Sequence, residues 1–224
     1  MWGVDGCPGG WFAVSNHGDL ILETDFSGLL KTADKGRFYV DMPIGLPDSK
    51  RHLERIARSF KAVRSGSIFP VPCRRAVYAE CYESACEINL LITGKKLSKQ
   101  SWFLCKKIKQ IDVLLRQETS LRDRVIESHP ELAYSFIGKG LPLRSKKTRE
   151  GVVCRLELLS QRHLAVWDLF TQAKQTFPRK VLGLDDIVDA LILMTVGTGR
   201  KKCLVWPTQR QDSYGIPIRM IVPA

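Results

Sequence analysis

Trp2-Gly3-Val4-Asp5-Gly6-Cys7-Pro8-Gly9-Gly10-Trp11-Phe12-Ala13-Val14-Ser15 opens the chain with a short apolar run that stops at an acid. A Gly/Pro loop then reverses direction, and Trp11–Ser15 resumes an extended pattern. Asn16-His17-Gly18-Asp19 is a second turn signal, followed by Leu20–Thr24 as a third strand. Ser27 suits the cap of a short helix through Ala33. Arg37–Asp41 reads as a fourth strand, stopped by Pro43, and Arg124–Glu127 as a fifth. The run-then-acid pattern recurs as Phe38-Tyr39-Val40-Asp41 and Val125-Ile126-Glu127. Such runs suit strands covered on both faces. Lying parallel and adjacent, the three would bring Asp5, Asp41 and Glu127 to one sheet edge, where open α/β sheets hold their sites. Each acid also has a plainer reading: a turn for Asp5, a strand end for Asp41, a pairing with Arg124 for Glu127.

Working outward, Asp48–Val63, Ala76–Leu91 and Ser98–Gln117 show helical spacing, with Ile108, Ile111, Leu114 and Leu115 on one apolar stripe. Helices are also expected over Val152–Ser160, Arg162–Gln175 and Leu184–Val196, while Cys203–Val222 carries no decisive pattern. Strands, one helix, a strand, a long helical passage, a strand and more helices make an α/β three-layer fold. One domain over 1–224, with a helical insertion at about 49–122, accounts for this order better than two domains.

Of the 224 residues, 35 are Lys or Arg and 23 are Asp or Glu, a net charge of +12. The first 48 residues hold three basic and seven acidic side chains, whereas 49–155 hold 23 and ten. A basic body beside an acidic segment suits a polyanionic partner, nucleic acid above all, although a solvated basic surface explains the same numbers. No run of about 18 apolar residues occurs, so no membrane partner is expected. The N-terminus lacks a signal-peptide pattern, which leads to a soluble, cytoplasmic expectation. Seven cysteines form no CxxC pair and four histidines no HxxxH, which argues against zinc and a disulfide framework.

Asp185-Asp186-Ile187-Val188-Asp189-Ala190-Leu191-Ile192-Leu193 is almost wholly apolar after its first turn, so this helix should be buried. Asp185 is explained as an N-cap and Asp186 by the helix dipole. Asp189 is not, and its i,i+3 spacing sets it about 5–6 Å from Asp186 at the Cβ atoms. Two like charges so placed need a cation between them. Mg²⁺ or Mn²⁺ is the natural choice, since hard cations take oxygen ligands.

Together these segments resemble the RNase H-like superfamily, and the late Asp-x-x-Asp-Ala helix is similar to that of RuvC-type Holliday-junction resolvases. The chain looks most like a family of predicted RNase H-like nucleases. The matching stretches are Gly3–Trp11, Asp41-Met42-Pro43-Ile44-Gly45-Leu46-Pro47, Ser67-Ile68-Phe69-Pro70-Val71-Pro72, Glu127-Ser128-His129-Pro130-Glu131 and Asp185–Ala190. The resemblance implies a mixed five-stranded sheet. It also implies Asp5 and Asp41 as strand acids, the Asp186/Asp189 pair on the helix, and Glu127 and Asp185 as further candidates. One departure is Glu54-Arg55-Ile56-Ala57-Arg58, where the family pattern begins with Asp.

The implied chemistry is metal-dependent hydrolysis of a phosphodiester, with two ions roughly 3.5–4 Å apart and Asp5 as the bridging acid. His129 is a candidate proton shuttle or phosphate contact, with a purely structural role the plainer alternative. Arg55 and Arg58, at i,i+3, suit a fork on a phosphate; Lys99, Lys146 and Lys147 are further phosphate candidates. Two other functions stay open. The first is a phosphotransferase of the actin-like fold, although the chain shows one Asp-Gly turn and no second copy. The other is a non-catalytic module that binds nucleic acid or protein.

Overall fold

The computed structural model describes residues 1–33, 35–60, 63, 65–140 and 143–224. Trp2–Cys7 (β1) and Gly10–Ser15 (β2) form the expected hairpin, with Cys7 opposite Gly10. Gly10 has φ 128°, and a Cβ there would lie 2.2 Å from the Glu23 carbonyl oxygen, so the turn needs glycine. Leu20–Glu23 (β3) pairs antiparallel with β2. Phe38–Val40 (β4) runs parallel to β1, and Val125–Glu127 (β5) parallel to β4. The sheet is mixed and five-stranded, ordered β3-β2-β1-β4-β5. The three run-then-acid strands are therefore adjacent and end at one edge.

Side chains alternate across a sheet, and the two faces bury different cores. Val4, Phe38, Val40 and Val125 face Phe26–Thr32 (α1) and Lys99–Gln117 (α5), meeting Phe26, Leu29, Ile108 and Ile111. Phe12, Tyr39 and Ile126 face Leu184–Thr198 (α9), which Pro130–Ile137 (α6), Arg149–Ser160 (α7) and Val166–Thr176 (α8) flank. Helices on both faces make the α/β three-layer architecture. Helix α9 is buried along almost its whole length, as its composition requires. It lies directly on β1 because residue 3 is glycine: a Cβ there would fall 2.0 Å from the Ala190 carbonyl oxygen and 2.1 Å from the Met194 nitrogen.

Between β4 and β5 the chain passes through Leu53–Ser59 (α2), Arg74–Val77 (α3), Tyr82–Thr93 (α4) and α5. Helix α2 is shorter than expected, and the Ala76–Leu91 pattern divides between α3 and α4. Asp25, not Ser27, caps α1, its carboxylate accepting from the Gly28 N–H at 2.8 Å. Helix α6 was not anticipated, although Pro130 occupies its first position and Gly138 its end. The unassigned tail supplies Lys201–Leu204 (β6) and Met220–Pro223 (β7), a separate antiparallel pair. Among the described residues no helix is long and apolar enough to cross a membrane.

Candidate active site

Asp5 lies two residues beyond Gly3 on β1, so alternation turns it toward α9. Asp41 follows β4 at the same level, its N–H donating to the Val4 carbonyl at 3.0 Å. It too points to the α9 side, since Val40 before it enters the opposite core. From above, α9 supplies Asp186 and, one turn later, Asp189. The N-cap is Gly183 rather than Asp185, and the Asp186 carboxylate accepts from the Gly183 N–H at 2.9 Å. The four carboxylates line one cavity of about 420 Å³, with His129, Lys146 and Lys147 on its wall.

Burial and mutual repulsion dominate the electrostatics. Asp5 is 7% exposed and accepts from the Gly6 N–H at 2.8 Å. Burial first, then the charges of Asp41, Asp189 and Asp186, hold its carboxyl well above the usual range. Burial likewise raises Asp41 and Asp186. Asp189 is fully buried and pushed up to about 7, burial outweighing the attraction of Lys146. The Lys146 ammonium bonds Asp189 Oδ2. Burial works against that ammonium, yet Asp189, Asp5 and Asp41 outweigh it and hold Lys146 above the ordinary lysine value.

Lys146 thus supplies the cation that the Asp186/Asp189 spacing demands. Asp189 Oδ1 remains buried without a hydrogen-bond partner among the described residues. An orphaned carboxylate oxygen in one cavity with the carboxylates of Asp5, Asp41 and Asp186 is a donor set suited to a hard divalent ion. Among the described residues, however, no three His, Cys, Asp or Glu side chains converge in a ready-made ligand arrangement. The donors are of the right kind but not drawn together.

The remaining candidates separate. Glu127 stands opposite Val40 and so faces away from Asp41, into the other layer. There it accepts from the Ile44 N–H at 2.8 Å and from both terminal nitrogens of Arg51, not from Arg124. Burial still pushes it up to about 7. Asp185 is half-buried and does not line the cavity. His129 does line it, but as the cap of α6: Nδ1 accepts from the Leu132 N–H at 3.3 Å and Nε2 lies 3.2 Å from the Ser67 carbonyl. With both ring nitrogens engaged, a shuttle role would require rearrangement. Arg55 and Arg58 share one face of α2, as expected, but line a different cavity; Lys99 is exposed and lines neither.

Glu131 and Arg155, which also line the acidic cavity, were not singled out from the sequence. Glu131, in the first turn of α6, accepts from the buried Arg155 at 2.6 Å and adds to the field that raises Asp41 and Asp189. Its position just after the end of β5 was the available signal. Arg155 sits inside α7 and was not distinguishable from its basic neighbours.

Fold and site together define an α/β protein with an acidic cleft at the carboxyl edge of a mixed sheet, roofed by a buried helix. The chain belongs to the family described as protein of unknown function (DUF429), which matches residues 3–212. That span includes Asp5, Asp41, Glu131, Asp186 and Asp189 of the cleft. No curated protein and no solved structure gives a significant match.

Proposed function

We propose that this chain is an RNase H-like, divalent-metal-dependent nuclease that hydrolyses phosphodiester bonds of nucleic acid. The observation that supports the reading is that Asp5, Asp41, Asp186 and Asp189, from three separate elements, line one cavity in which Asp189 Oδ1 has no partner among the described residues. Asp5, Asp41 and the helix pair would hold Mg²⁺ or Mn²⁺; the chemistry such an ion supplies when bound is activation of water and stabilisation of the departing oxygen. The chain's own groups bind and orient. Lys147, exposed at the rim, is free to meet a phosphate oxygen. Lys146 occupies Asp189 and must yield or share that carboxylate when an ion binds, so its role is charge balance rather than first contact with substrate.

Incubation of the protein with labelled single- and double-stranded DNA and RNA in Mg²⁺ or Mn²⁺, with an EDTA arm, tests the reading. Cleavage is expected only with the ions, and is expected to vanish in Asp5→Asn and Asp189→Asn while their circular dichroism stays that of the parent. No cleavage of any substrate, or undiminished cleavage by both variants, would overturn it.

A further inference from the structure

A second cavity, of about 350 Å³, opens where α2 meets the turn between α4 and α5. Its wall carries Lys50, Arg55, Arg58, Lys95 and Lys96. Among the described residues none of these five has a carboxylate partner. The cavity's other ionised pair, Arg51 and Glu54, is internally matched at 2.9 Å. We propose that this cavity is a binding site for a phosphoryl-bearing ligand of nucleotide size.

The wall is built rather than incidental. Gly94 ends α4 with φ 76°, and the buried side chains of Asn89 and Thr93 then fix the turn that presents the two lysines. Asn89 Nδ2 donates to the Lys95 carbonyl at 2.8 Å, and the Lys95 N–H donates to Thr93 Oγ1 at 3.3 Å. Ser98, the N-cap of the 19-residue helix α5, lies on the same wall and adds the positive end of the helix dipole. Arg55, whose guanidinium lies over the Trp206 ring, and three ammonium groups around one space suit a dianionic phosphate better than a single carboxylate, and Arg58 adds positive charge while two of its nitrogens stay on the Ile68 carbonyl. Pro70, Val71 and Leu97 supply an apolar side for the organic part, and the volume lies in the usual range for small-ligand sites, about 300–1,000 Å³.

The ligand has two sources of the same chemistry: a free nucleotide, or the phosphorylated end of a strand. The second is geometrically open because Gly66, Ser67 and Phe69 line the acidic cleft while Pro70 and Val71 line the basic cavity. The connecting loop is held from both sides, by His129 at the Ser67 carbonyl and by Arg58 at the Ile68 carbonyl. The proposal does not depend on the nuclease reading, and its test omits divalent ions.

In EDTA, calorimetric titration of the full chain with pyrophosphate and ADP is paired with anisotropy on 5′-phosphorylated and 5′-hydroxyl oligonucleotides. Lys95→Glu/Lys96→Glu, at exposed side chains, is expected to weaken binding of the phosphorylated probes at least tenfold. Lys31→Glu/Lys174→Glu, the same charge change at exposed sites on neither cavity wall, is expected to leave it within twofold. Binding of ADP and pyrophosphate identifies a free nucleotide; a preference confined to the 5′-phosphorylated strand identifies a strand end. Absence of binding by every probe, or equal weakening by both double variants, would overturn the proposal.

Discussion

Asp189 has one oxygen on an ammonium and, among the described residues, no partner for the other, and with Asp5 it makes the cleft costly to keep ionised. The sign of the pH dependence follows directly. A carboxyl whose folded pKa is raised lends stability below its unfolded value, near 4, and loses it as pH rises through the folded value. Asp5, Asp189 and Glu127 all shift upward, the latter two to about 7. In EDTA the melting temperature should therefore rise as pH is lowered from 8 to 6, read by scanning fluorimetry. Asp5→Asn should raise it at pH 8 and flatten part of the slope; an unchanged slope would contradict the stated electrostatics. Arg51 poses the converse case, a buried cation against two carboxylates. Arg51→Met leaves Glu54 and Glu127 without it and should cost about 3–5 kcal/mol in urea unfolding. Adding Glu127→Gln should recover part of that loss.

At the scale of elements, the approach of α9 to β1 decides whether a cleft exists at all. Gly3→Ala forces a methyl group into the helix backbone, where no side chain can give way. A loss of at least about 3 kcal/mol is expected by denaturant titration; a neutral result would mean that α9 sits further from the sheet. The parallel trio β1, β4 and β5 was legible because each strand announces itself by an apolar run and a terminal acid. The face of Glu127 was not, since a three-residue strand offers too little alternation to fix which way its last side chain points. The helical spacing of Ser98–Gln117 could be read locally, with Ser98 as the cap of α5. The pairing of Lys146 with Asp189 could not, because the two are 43 residues apart and only the tertiary fold brings them together. β6 escaped notice for a different reason: Lys201, Lys202 and Cys203 are exposed and carry no core-facing pattern.

Across the whole molecule, charge is arranged as function would require under the proposed reading: acids gathered at one sheet edge, bases in the passage between β4 and β5. The net +12 acts at long range and strengthens any nucleic-acid encounter at low salt. Phosphate contacts release counterions, with a slope of about −0.9 per contact for duplex DNA. If Lys147 and two lysines or arginines of the basic cavity each meet a phosphate, affinity should fall roughly 40-fold between 50 and 200 mM salt. Asp5→Asn in EDTA allows this to be measured by anisotropy without cleavage. Lys95→Glu/Lys96→Glu should make the slope shallower as well as lowering affinity, because it removes contacts rather than merely changing net charge. Lys31→Glu/Lys174→Glu alters the net charge equally but touches neither cavity, so its slope should match that of Asp5→Asn alone. An affinity indifferent to salt would mean that the basic passage meets no phosphate.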